Sequence, residues 1–122
     1  MINKIHKVAV VTDDIEGAVK FYTEVLGLEV MERFNNPGDE DYVFLKAGNI
    51  KLELMPVKSM GAPVGFHHIS FEVPDVDKAY EELKSKGVKI LKEPFDGGGG
   101  IRISFFEGPN GVRLQIYQRK IK

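Results

Sequence analysis

Apolar side chains along this chain follow two periodicities, and they come in the same order in each half. Residues 2–12 are rich in β-branched and aliphatic types, with Val8, Ala9, Val10 and Val11 adjacent, which predicts a strand buried on at least one face. Asp13 or Asp14 stops the strand and caps a helix, in which Ile15, Ala18, Val19, Tyr22, Val25 and Leu26 form one apolar stripe before Gly27 ends it. Alternation over residues 28–34 and 42–47 predicts two strands joined by the polar turn Asn35-Asn36-Pro37-Gly38-Asp39-Glu40. Gly48-Asn49 then reads as a tight hairpin into a fourth strand over residues 50–57. The order is β-α-β-β-β.

Residues 58–64 read as a connector with no pattern of their own, after which the grammar repeats. A strand over 66–73 passes Pro74 to an Asp75 cap. A helix over 76–86 follows, with Val76, Ala79, Tyr80 and Leu83 on one side and Gly87 at its end. Strands near 88–92, 101–106 and 112–118 are broken by Gly97-Gly98-Gly99-Gly100 and by Pro109-Asn110-Gly111. One step of 62 carries His6 onto His68, and the same step carries Asn49-Ile50-Lys51-Leu52-Glu53-Leu54 onto Gly111-Val112-Arg113-Leu114-Gln115-Ile116. A period this long occurring twice implies an internal duplication within one domain over 1–122: module one at 1–57, connector 58–64, module two at 65–122. The expected fold class is α+β, with two tandem βαβββ modules forming a curved mixed sheet around a cavity.

The composition excludes more than it assigns. Seventeen basic and eighteen acidic side chains give a formal net charge of -1, so no basic field is available to hold nucleic acid or an anionic membrane. The absence of cysteine excludes disulfides, thiolate metal sites and a cysteine nucleophile. With no long apolar run at the amino terminus, a soluble cytoplasmic protein is expected, with a small molecule as its partner.

Strand alternation decides which side chains share a face. It turns Ile5, Ala9 and Val11, and likewise Ile69, Phe71 and Val73, toward a helix, leaving His6 and His68 on the other side. In the last strand of each half it turns Leu52, Leu54, Leu114 and Ile116 toward the helix and Glu53 and Gln115 away. Under a pseudo-twofold, His6, Glu53, His68 and Gln115 converge on one cavity as a nitrogen and oxygen donor set for one divalent transition metal. Any one of them alone has an ordinary structural explanation, so the weight lies on the joint pattern. His67 falls on the helix side by the same count, though a one-residue bulge would exchange it with His68. Lys51, Met55, Ser70, Arg113 and Tyr117 share the cavity side as substrate-binding candidates, with Arg113 or Lys51 suited to a carboxylate, phosphate or thioester-linked anion. The four-glycine run opens no helix after a strand and is no dinucleotide fingerprint; it reads as a hairpin tip or a flap beside the cavity.

Four segments carry a family resemblance. Ile5-His6-Lys7-Val8-Ala9-Val10, Ala18-Val19-Lys20-Phe21-Tyr22-Thr23-Glu24-Val25-Leu26-Gly27-Leu28, His67-His68-Ile69-Ser70-Phe71-Glu72-Val73 and Gly108-Pro109-Asn110-Gly111-Val112-Arg113-Leu114-Gln115 resemble, in this order, the vicinal oxygen chelate superfamily. The superfamily includes glyoxalase I, methylmalonyl-CoA epimerase, extradiol dioxygenases and the fosfomycin- and bleomycin-resistance proteins. The resemblance implies the glyoxalase-like fold, usually as a homodimer, and His6, Glu53, His68 and Gln115 as ligands of one Zn, Ni, Co, Mn or Fe ion. It implies first a glyoxalase I-like lyase or isomerase that forms a metal-stabilised enediolate on a small α-oxygenated substrate, with Glu53 as the catalytic proton carrier. A methylmalonyl-CoA epimerase-like enzyme shares that logic. An extradiol-type dioxygenase using His6, His68 and Glu53, and a non-enzymatic antibiotic- or metabolite-binding protein, are further alternatives. The departure is Gln115, where many metal-using members carry glutamate. It leaves Glu53 as the one carboxylate of the four, to combine ligation with base work unless a group such as Glu32 is the base.

Overall fold

In the computed structural model, residues 1–119 are described. The order of elements is β1 (Lys4–Thr12), α1 (Ile15–Lys20), β2 (Glu29–Phe34), β3 (Tyr42–Ala47), β4 (Ile50–Pro56), α2 (Val57–Met60), β5 (Gly65–Glu72), α3 (Val76–Ser85), β6 (Ile90–Gly98), β7 (Ile101–Glu107) and β8 (Arg113–Arg119). The class is α+β, as the two periodicities require. The chain gathers into two compact units, Lys7–His67 and Met1–His6 with His68 onward. Their boundaries fall inside β1 and β5 rather than in the connector.

Within the unit Lys7–His67 the strand order is β2-β3-β4-β1, with β4 parallel to β1 and the other pairings antiparallel. Ile15, Val43, Leu45 and Leu54 are fully buried under the helix, with Val10, Ala18, Val19, Tyr22 and Leu52 packed around them. In the other unit the order is β5-β8-β7-β6, with β8 parallel to β5. Its core joins Val76, Ala79 and Tyr80 of α3 to Val73, Phe106 and Ile116. A strand that leaves through a helix and two hairpins returns parallel to its start, and both halves close this way.

The caps follow the sequence closely. Asp14, rather than Asp13, accepts from the Gly17 N–H at 2.9 Å, and Asp75 accepts from the Lys78 N–H at 3.1 Å. Gly27 (φ 76°) and Gly87 (φ 79°) take the left-handed conformation that follows each helix.

Three expectations are corrected. The first helix is not one regular stripe to Leu26: after Lys20 it widens into a π-helical turn over Phe21–Val25, with the Leu26 N–H reaching back to the Phe21 carbonyl at 3.4 Å. The wider turn rotates Val25 and Leu26 off the stripe, leaving them 65% and 55% exposed. The connector is not patternless, because α2 forms one helical turn closed by Gly61. Finally, β6 continues past residue 92 to Gly98. Pro94 is tolerated because β6 pairs with β7 alone and the register slips between Lys92 and Phe95.

Truncating Ile15 to alanine should cost about 2–5 kcal/mol in denaturant unfolding. Truncating Val25 should change stability by less than about 0.5 kcal/mol. Equal losses at both positions would contradict the π-helical rotation.

Candidate functional site

In the unit containing α3, the face of the sheet turned away from the helix is polar and buried. Alternation along β5 puts His68, Ser70 and Glu72 on that face, and the register sets Ser70 beside Gln115 and Glu72 beside Tyr117 of β8. Phe105 of β7 lies opposite Gln115. His68, Ser70, Gln115 and Tyr117 are all at most 4% exposed. The His68 ring meets Phe105 edge-on at 5.4 Å, and His6 stacks flat on Tyr117 at 3.9 Å. That stacking brings His6 to the same face. Burial, ahead of the opposing influence of Arg119, raises the Tyr117 phenol above its ordinary pKa, so it keeps its proton at neutral pH.

Two atoms here stand without partners: Gln115 Oε1 and Ser70 Oγ are buried with no hydrogen-bond partner among the described residues. A buried polar atom in that state costs about 1–3 kcal/mol, so each calls for a partner such as an ordered water or an ion. With two imidazoles on the same face, an amide oxygen suits a divalent transition metal of intermediate hardness. His67 is half-buried on the opposite parity of β5.

Glu53 belongs to the other unit. It lies on the face of β4 turned away from α1, in a row that runs Ala9, Glu53, Phe44, Glu32 across four strands. Its carboxylate is 3.1 Å from the Lys7 ammonium, and both side chains are only 11% exposed. The structure therefore gathers His6, His68 and Gln115 in one unit and sets Glu53 beside Lys7 in the other. Among the described residues no three His, Asp or Glu side chains form a metal-holding group.

Lys7 escaped sequence reasoning for a definable reason. Ser70 faces Gln115, but Ala9, not Val8, faces Glu53, so the step between halves is 61 on the first strand and 62 on the last. The strand β1 from Lys7 onward is one residue out of phase with β5. This overturns the expected helix-facing set: Ala9 and Val11 pack with Met55 on the far face, Val10 packs under α1, and Ile5 is exposed.

The other substrate-binding candidates are spread over both units. Lys51 neighbours Lys7 in register, whereas Met55 is buried in a cluster with Tyr42, Val57 and Met60. Arg113 is exposed, opposite Glu107. Asp39 ties two loops together, accepting from the Ser59 N–H at 2.9 Å and the Ser59 hydroxyl at 2.7 Å, and those bonds hold its carboxyl below the usual range. Tyr42 is raised by burial and then by the Glu53 charge.

The family model described as Glyoxalase/Bleomycin resistance protein/Dioxygenase superfamily matches residues 4–116. A lactoylglutathione lyase from Arabidopsis thaliana is 33% identical over 116 residues, 87% of this chain and 41% of that protein. The chain thus spans well under half the length of that curated relative. The mitochondrial methylmalonyl-CoA epimerase of Bos taurus is 34% identical over 131 residues, 96% of this chain and 75% of that one. Among solved structures, a Streptomyces coelicolor methylmalonyl-CoA epimerase in complex with 2-nitronate-propionyl-CoA is 26% identical with a TM-score of 0.80, covering 99% of this chain and 100% of that one.

Replacing Ser70 with alanine removes a hydroxyl that has no partner, so metal-free protein should unfold at the same or a higher denaturant concentration, with a gain of up to about 1 kcal/mol. A clear loss would show that the hydroxyl is satisfied. The raised phenols predict a second effect. Because the folded state holds these protons more tightly, stability is fully present below the ordinary tyrosine pKa of 10.0 and falls as pH rises beyond it. Tyr117→Phe should flatten that decline in urea unfolding followed from pH 9 to 11, and an unchanged slope would contradict the assignment.

Proposed function

The chain belongs to the glyoxalase/bleomycin resistance protein/dioxygenase superfamily, and from that premise we propose that it is a metal-dependent enzyme that moves a proton at the carbon next to a carbonyl, on an acyl thioester in the manner of an epimerase. The observation that carries the metal reading is the buried, unpartnered Gln115 oxygen in the strand next to that of His68. The thioester is favoured by coverage: the epimerase relatives align over most or all of their length, the lyase over 41% of its own. A glyoxalase I-like lyase or isomerase is the second reading, favoured by the 33% identity to a lactoylglutathione lyase.

In this reading His6, His68 and Gln115 would hold the ion, with Glu53 as the fourth ligand expected from the duplication. A divalent ion held there would supply Lewis-acid polarisation of a carbonyl, making the neighbouring C–H bond more acidic. Glu53 takes the proton from that carbon as its carboxylate. Its ion pair with Lys7 steadies the carboxylate before substrate arrives. Glu32, on the same sheet face two strands away, is the second carboxyl group available and, in its protonated form, would return a proton to that carbon. Tyr117 orients the His6 ring by stacking and keeps its proton at neutral pH. Ser70, Lys51, Met55 and Arg113 are proposed as further substrate contacts.

Deuterium uptake at the α-carbon, followed by proton NMR in heavy water with cobalt-loaded protein, tests the reading. A branched acyl-CoA thioester should exchange, and Glu53→Gln should slow that exchange by about 10²–10⁴-fold. Exchange only with a glutathione hemithioacetal would select the lyase reading. Exchange with neither would overturn both.

A further inference from the structure

On the face of β4 turned away from α1, Lys51 stands between two other lysines. The register places Lys7 of β1 on one side of it and Lys46 of β3 on the other, with Glu29 of β2 beyond Lys46. Neighbouring strands lie about 4.8 Å apart, and like charges directly opposite one another in a sheet are destabilising. Three ammonium groups in one row therefore work against the fold. Lys7 is relieved by Glu53 at 3.1 Å. Among the described residues neither Lys51 nor Lys46 has an ion-pair partner, and Lys51 has no carboxylate opposite it on either strand.

What holds the row in place is aromatic. The Phe44 ring takes the Lys51 ammonium at 5.5 Å and the Lys7 ammonium at 5.9 Å from its centroid, so one ring gathers both cations. Cation–π attraction steadies an ammonium without neutralising it, which leaves its charge available to an anion. Lys7 is engaged by Glu53, which leaves Lys51 as the ammonium on that ring open to an anion.

We propose that Lys51, flanked by Lys7 and Lys46 and seated on Phe44, is an anion-binding subsite that takes a carboxylate or phosphate group of the ligand. It deepens the functional reading in one respect, in that it takes the anion to be part of the substrate. Anion binding offsets the repulsion within the row. The subsite lies within one unit and needs no metal to form.

Calorimetric titration of metal-free protein at low ionic strength with two probes, malonate and coenzyme A, tests this. At least one should bind saturably: malonate would identify a carboxylate as the recognised group, coenzyme A its phosphates. Lys51→Gln should weaken that binding tenfold or more, Lys51→Arg should retain it, and added salt should weaken it in the wild type. Without ligand, Lys51→Gln should be as stable as the wild type or more so, since a repulsion is removed. Saturable binding of neither probe, equal binding by Lys51→Gln, or a large stability loss in that variant would overturn the proposal. Because the measurement uses neither metal nor turnover, it stands or falls separately from the exchange experiment.

Discussion

The constraint on which the rest depends is the parallel pairing that closes each half: β1 on β4, and β5 on β8. Parallel strands cannot be joined by a tight turn, so each half must spend a helix and two hairpins to bring its last strand beside its first. The returning strand then carries one polar residue to a fixed place, Glu53 in one unit and Gln115 in the other. Each is buried on the face its helix does not cover. The helix supplies the core on one side of the sheet, which frees the other side for chemistry.

The two closures are not copies. Where Ser70 meets Gln115, Ala9 meets Glu53, one residue out of phase. A one-residue shift in a strand exchanges its faces, and the consequence is chemical. In one unit the polar face pairs an imidazole strand with an amide and leaves an acceptor oxygen unsatisfied. In the other the same sheet position gives an ammonium paired with a carboxylate, and beside it a row of lysines on an aromatic ring. A buried ion pair is costly to break once formed, so Glu53 is held in place but also engaged.

Much of the fold could be read before the structure was known, because it rests on local chemistry. The strand and helix periods, the Asp75 cap, the glycines after each helix and the apolar stripe of Val76, Ala79, Tyr80 and Leu83 are all written in neighbouring residues. The α2 turn, the π-helical widening and the length of β6 were not. Each is decided by contacts from elsewhere in the chain: Met60 against Tyr42, the α1 stripe against the sheet, and β7 alongside a strand containing Pro94. Which way the candidate residues face was legible to the same degree. Alternation from Leu114 and Ile116 correctly turned Gln115 away from α3. On β1 it failed from Lys7 onward, because register comes from pairing with β4 and not from the alternation of one strand. That failure hid the Lys7–Glu53 pair.

The central claim is that two imidazoles and the Gln115 oxygen form the binding end of a metal site. Titration with cobalt(II), read by histidine NMR, tests it most directly. The account predicts uptake of one ion per chain, with large paramagnetic shifts of the His6 and His68 ring protons. In Gln115→Leu, binding should be at least about tenfold weaker, on the scale by which loss of a supporting group changes metal affinity. Absence of stoichiometric uptake, or uptake that leaves those two rings unshifted, would contradict it.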